Sequence, residues 1–368
     1  MSTPLLPSSE AALQPDVRAE LHRVGSLVEA LQPWAPLWLA RLAYDGAALL
    51  DGAPAGAAAL SELALALPGG DGVPRAARLY ALQSTPVARR CALLLYIHGG
   101  GYALGSLSSH APTCRALARA LGAGWRVLAL TYRRAPEAQY PAAAEDVLAS
   151  YQHVLAHAHE FGLDEAQPRV AVAGDSAGGQ LTIELALRLR DAARRRAAAA
   201  GGGGGGGDED ASTPLPALIA PIYPAINSFV DTPSKFRYAS GYGILTLASV
   251  RRFAAGYLGA TAEARARWER DALLNPDLQT DLSGLPPMLL LTAEMDPLHD
   301  EGVAFAAAAR ARGAAAVEHI EARGCLHGCV QALHVPSHRA ALEDLAARIK
   351  AAVEAPAAAA AAAAGSKE

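Results

Sequence analysis

Ser176, Asp296 and His327 are the residues whose types and order could carry nucleophilic chemistry in this chain. Ser176 stands at the centre of Gly174-Asp175-Ser176-Ala177-Gly178, a Gly-x-Ser-x-Gly pentapeptide. A serine hydroxyl is a weak nucleophile until a neighbouring base takes its proton, and that base must be kept in one tautomer by an acid. His327 and Asp296 supply one of each, in the chain order Ser, Asp, His. Glu294 and Asp300 are rival carboxylates in the same stretch; Asp296 ranks first because it directly precedes Pro297, which starts the next helix. Attack on a carbonyl also needs donors aimed at the oxyanion. Gly99, Gly100 and Gly101 can present unobstructed backbone amides, and the Ala177 N–H lies beside the nucleophile. A phosphate-cradling loop is the rival reading of those glycines, but it requires Gly-Lys-Ser/Thr, and the lysines of this chain are Lys235, Lys350 and Lys367.

The histidine has a second claimant. In "GCLHGCV" (324–330), Cys325, His327 and Cys329 alternate, and in an extended segment they would point to one side as three ligands for zinc. A metal-bound His327 could not serve as the base for Ser176, so the metal reading is set aside and the cysteines are expected to be small apolar residues of the loop. Their oxidation to a disulfide that disturbs His327 is kept as a subordinate reading. His153 and His157 form another i, i+4 pair, but the apolar face of their helix runs through Val147, Leu148, Tyr151, Val154, Leu155 and Ala158, which leaves both histidines on a solvated face. No metal and no cofactor is expected.

The elements that must hold these groups are legible as short runs rich in apolar residues: 92–97, 126–132, 169–174, 217–223, 287–293 and 316–321, alternating with helical patterns. Runs apolar on both faces are what a parallel sheet covered by helices on both sides requires. In such sheets chemistry collects in the loops after the strands, which is where "HGGGYALG", "DSAGG", "EMDPLHDE" and "ARGCLHGC" fall. Ser176 then sits where a strand turns sharply into a helix, the setting of a nucleophile elbow.

Bulk properties agree with a globular protein: 368 residues, 52% hydrophobic and 18% charged. A formal net charge of -4 offers no basic surface for nucleic acid. Four cysteines without a Cys-x-x-Cys pair do not make a disulfide framework, so a reducing compartment, the cytoplasm, is the expectation. The N-terminus shows no signal or transit pattern, and the apolar stretch "ALQPWAPLWLA" is too short to cross a bilayer. Stable membrane insertion is not expected, and a homodimer is compatible with the sequence.

Taken together, "HGGGY", "YRRAPEAQYPAAAEDV", "GDSAGG", "LPPMLLLTAEMDPLHDEG" and "LHG" resemble the hormone-sensitive-lipase-like branch of the α/β-hydrolases, over about residues 75–350. The resemblance implies an α/β-hydrolase fold, a central mostly parallel sheet flanked by helices, with a helical cap. It implies Ser176, Asp296 and His327 as catalytic residues, Gly100, Gly101 and Ala177 as oxyanion donors, and His98 as a support of the loop. Residues 1–74 are then an N-terminal helical cap region and 75–352 the catalytic domain. That domain carries a cap segment at about 225–270 and a flexible Gly-rich insert at 191–214; a disordered Ala-rich tail follows at 353–368. Trp34 and Trp38 face either the acyl pocket or the core. The chain departs from the family where Cys329 replaces the usual phenylalanine two residues after the histidine, and where Cys325 replaces a more ordinary residue. The implied activity is hydrolysis of short- to medium-chain carboxylic esters, with a small-molecule ester as partner. An amidase or deacetylase would use the same triad. A gibberellin-type receptor would bind without turnover, but those relatives have lost the histidine that is present here as His327.

Overall fold

In the computed structural model, which describes residues 15–17, 37–47, 57–85, 91–201, 213–240 and 245–365, the apolar runs become one sheet with helices on both sides. The elements in chain order are α1 (Leu37–Ala47), β1 (Leu60–Pro68), β2 (Pro74–Leu82), β3 (Ala92–Ile97), α2 (Ala111–Leu121), β4 (Trp125–Leu130), α3 (Ala142–Ala156), β5 (Val170–Asp175) and α4 (Ala177–Gly201). They continue with β6 (Leu218–Ile222), α5 (Pro233–Arg237), α6 (Leu247–Leu258), α7 (Ala262–Trp268), β7 (Met288–Met295), α8 (His299–Ala311), β8 (Val317–Leu326) and α9 (Pro336–Gly365). The sheet order is β1-β2-β4-β3-β5-β6-β7-β8. Strands β3 to β8 pair in parallel, and β1–β2 and β2–β4 are antiparallel.

The central strands are apolar throughout because each face has its own core. Every residue of β3 is buried. Leu93, Leu95 and Ile97 join Val147, Ile183 and Phe305 on one side, while Leu94 and Tyr96 join Leu117, Leu345 and Ile349 on the other. Alternation of side chains along a strand makes both faces possible, and burying each large apolar side chain contributes about 1.5–3 kcal/mol.

Three boundaries differ from the sequence reading. The sheet begins at Leu60, inside the stretch 1–74 expected to be a helical cap region. β1 pairs with β2 along its whole length, from Leu60↔Leu82 to Pro68↔Pro74, around a turn closed by the Gly69 N–H to Val73 carbonyl bond of 3.0 Å. β1 is an edge strand that stays largely exposed, so its run of Leu, Ala, Ser and Glu carries no clear period of two; pairing, not propensity, makes it a strand. The expected insert at 191–214 is helical as far as Gly201. The expected disordered tail is helical to Gly365, because alanine has the highest helix propensity and extending α9 needs no new nucleus. No described helix is long and apolar enough to cross a membrane.

Candidate active site

The parallel sheet delivers four loops to one end. Gly99, Gly100 and Gly101 follow β3, Ser176 follows β5, Asp296 follows β7 and His327 follows β8, each within a few residues of the strand's last residue. Ser176 has φ +55, a left-handed conformation that a serine holds only under strain. The turn is tight enough that a Cβ on Gly174 would overlap the Gly178 carbonyl, and one on Gly178 would overlap the carbonyl of Ile97 on β3. The glycines therefore let the elbow press against the neighbouring strand. Helix α4 starts at Ala177, so the first-turn N–H groups and the positive end of the helix dipole lie at the serine.

Ser176 Oγ is 3.0 Å from His327 Nε2, and His327 Nδ1 is 2.6 Å from Asp296 Oδ2. The other carboxylate oxygen of Asp296 accepts the Leu298 N–H at 2.8 Å. Asp296 is fully buried and the His327 side chain is only 10% exposed. The Tyr223 ring lies 4.7 Å from the imidazole, centroid to centroid, and backs it on one side. The rival carboxylates are engaged elsewhere: Glu294 accepts the Gly324 N–H at 2.7 Å, and Asp300 meets His299 at 2.9 Å and the Ser234 N–H at 2.8 Å.

The glycine loop is held by its own carbonyls and by a tyrosine. Gly100 and Gly101 have φ +110 and +60, and the Gly100 carbonyl accepts from the N–H groups of Ala103 and Leu104 at 3.1 and 2.7 Å. Tyr102 donates to Gln180 Oε1 at 3.3 Å and stacks on Tyr257 of α6 at 3.8 Å. His98 is buried under the loop, its Nδ1 2.8 Å from the Gly99 carbonyl and its ring stacked on Tyr132. Burial and the nearby His110 push its pKa down to about 3, so it is neutral and has no part as a proton carrier at ordinary pH.

Cys325 and Cys329 are buried and unbridged. Their thiols hydrogen-bond to each other, which together with burial pushes Cys329 well above the usual thiol value, while the same bond holds Cys325 below it. His153 and His157 stack at 4.0 Å and are half-buried, with His157 Nδ1 2.9 Å from the His153 carbonyl. They are more sheltered than the solvated face expected of them. Trp34 lies outside the described residues, as does the side chain of Trp38.

A network that sequence reasoning missed lies under the elbow. Asp175 accepts from the Tyr96 hydroxyl at 2.8 Å and from the Gly99 N–H at 3.0 Å, with His110 Nε2 at 3.3 Å and Gln331 Nε2 at 3.2 Å. Burial opposes its charge, but His110 and these donors outweigh it and hold its pKa below the ordinary carboxylate value. A pocket opens directly against Ser176, Ala177 and Gly101, some 360 Å³ with its open mouth included, walled by Leu245, Val250, Phe253, Ala254 and Leu298. Phe253 packs so closely on Gly101 that any side chain there would overlap its ring.

Comparison with known proteins bears on the fold and on the class of activity. A family model described as alpha/beta hydrolase fold matches residues 94–331. An ethyl acetate hydrolase from Pseudomonas putida is 36% identical over 262 residues, 71% of this chain and 73% of its own. A carboxylesterase from Mycobacterium tuberculosis is 35% identical over 274 residues, 73% of this chain and 77% of its own. Among solved structures, a hyperthermophilic esterase from the archaeon Pyrobaculum calidifontis superposes with a TM-score of 0.74 at 31% identity, covering 93% of this chain and 99% of that one.

Proposed function

The chain belongs to the α/β-hydrolase fold family, in its hormone-sensitive-lipase-like branch, as a carboxylesterase-type hydrolase, and from that premise we propose that it cleaves short- to medium-chain carboxylic esters through an acyl-enzyme on Ser176. In this reading His327 takes the Ser176 proton as Oγ attacks the ester carbonyl, and Asp296 keeps the imidazole oriented and balances its positive charge. The N–H groups of Gly100, Gly101 and Ala177 receive the oxyanion. The proton on His327 passes to the departing alkoxide, and water activated by the same base then releases the acid. The observation that carries the reading is the unbroken line from Ser176 Oγ to His327 at 3.0 Å and on to Asp296 at 2.6 Å.

The pocket narrows the substrate. The leaving oxygen must face His327 Nε2, and the walls of the cavity beside Ser176 come from the glycine loop, from α6 and from Ala225, Ser228, Leu245 and Leu298, with none from the loop that bears His327. That cavity is the place for the acyl chain, and its crowding by Phe253 favours acetyl to butyryl groups over long chains. The test is hydrolysis of p-nitrophenyl acetate and butyrate by the wild type beside Ser176→Ala. Turnover that drops by at least about a thousandfold in the variant is expected. A folded wild type that turns over neither ester, or a variant that keeps wild-type turnover, would sink the reading.

A further inference from the structure

We infer that Gln331 is a positioning residue that clamps the loop bearing the base to the nucleophile elbow. The inference rests on the proposed roles of Ser176 and His327. Gln331 lies four residues beyond His327, in the same run of turns, with its N–H bonded to the Gly328 carbonyl at 2.9 Å. Its side-chain amide leaves that loop and meets Asp175, the residue immediately before Ser176, at 3.2 Å from Nε2 to Oδ2. The same nitrogen touches His110 Nε2. Tyr44 of α1 brackets the amide, its hydroxyl 2.8 Å from Nε2 and 3.1 Å from Oε1.

Asp175 is the knot that makes this contact consequential. It is 1% exposed, and besides Gln331 it binds the Tyr96 hydroxyl at 2.8 Å and the Gly99 N–H at 3.0 Å, so one carboxylate joins β3, the glycine loop and the elbow. Gln331 adds the fourth part, the loop that carries the base. A neutral amide suits the position: it donates to Asp175 and accepts from Tyr44, whereas a carboxylate would set a second negative charge against a buried one. Through this clamp the separation of Ser176 Oγ and His327 Nε2 is set by groups that touch neither substrate nor the reacting atoms.

The experiment compares kcat and KM for p-nitrophenyl acetate in full-length wild type, Gln331→Met, Gln331→Asn and Ser176→Ala, with a thermal melt of each and the rate at which an aryl phosphonate labels Ser176. Gln331→Met keeps the length and bulk of the side chain and removes both polar atoms. Gln331→Asn keeps the chemistry but is one methylene too short to reach. We expect kcat and the labelling rate to fall together by about tenfold to a hundredfold with KM within twofold, because misplacing reacting groups by on the order of 1 Å carries a loss of that size. A folded Gln331→Met with kcat within twofold of wild type, or with only KM changed, overturns the inference. If Gln331→Met does not fold, Gln331→Asn decides by the same limits. A wild type without turnover, or Ser176→Ala that retains it, brings down the underlying functional reading instead.

Discussion

Asp296 has both oxygens committed, one to the Leu298 N–H at 2.8 Å and one to His327 Nδ1 at 2.6 Å, inside a site that excludes water from the carboxylate. Asn in its place would fit the space, but its amide could point an N–H at Nδ1 and favour the tautomer in which Nε2 carries the proton. Asp296→Asn is therefore expected to lower kcat by about 10⁴ with little change in KM, and steady-state kinetics would show it; a loss under tenfold would mean that another group orients His327. Phe253 offers the complementary test, of selectivity rather than rate. Phe253→Ala enlarges the pocket beside Ser176, and the ratio of kcat/KM for p-nitrophenyl octanoate over butyrate should rise by about tenfold or more. An unchanged ratio would place the acyl chain elsewhere. Ser176, Asp296 and His327 could be picked out in the sequence because each sits at the end of an apolar run. Gln331 and Asp175 could not, because a contact between residues 156 positions apart leaves no mark on either local pattern.

At the scale of elements, the six parallel strands were legible because burial on both faces forces continuous apolar runs, and the helices between them show their apolar stripe. β1 and the helical end of α9 were not. The first is an exposed edge whose structure comes from pairing with β2, and the second is made of alanine, which carries propensity but no pattern. The attachment of α5 was equally hidden. Lys235 of α5 is buried and donates to the carbonyls of Asn227 and Val230 at 2.8 and 2.6 Å, and its Nζ is 2.6 Å from Glu301 of α8. Burial pushes the Glu301 carboxyl up to about 7, against the pull of Lys235 and the Ile226 N–H. A carboxyl whose folded value lies above its ordinary 4.5 holds its proton longer in the native state. Its contribution to stability is greatest below that ordinary value and is lost as pH rises toward 7. The melting temperature of wild type should fall relative to that of Glu301→Gln by a few degrees between about pH 5 and 7.5. Parallel curves across that window would show that Glu301 is ionised throughout it.

For the molecule as a whole, the parallel sheet separates chemistry from tolerance to change. All of the proposed catalytic groups lie at the carboxyl ends of the strands, and α4 starts there, directly after Ser176. With 25 residues at about 1.5 Å each, α4 carries the chain on the order of 38 Å away from Ser176 by Gly201. The chain re-enters the described structure at Thr213, shortly before β6, and β6 runs parallel to β5, so this return point lies at the amino end of the sheet. The glycine-rich stretch 202–212 is therefore joined to the fold at both ends on the side opposite the site. Composition alone marked it as an insert; the direction of α4 adds that its two points of attachment, Gly201 and Thr213, lie away from Ser176. Replacing 202–212 with an equal length of mixed Gly and Ser should leave kcat/KM for p-nitrophenyl butyrate within twofold and the melting temperature within a degree or two. A loss of activity above about tenfold with an unchanged melt would mean that this stretch reaches back to the carboxyl end of the sheet and takes part in substrate entry.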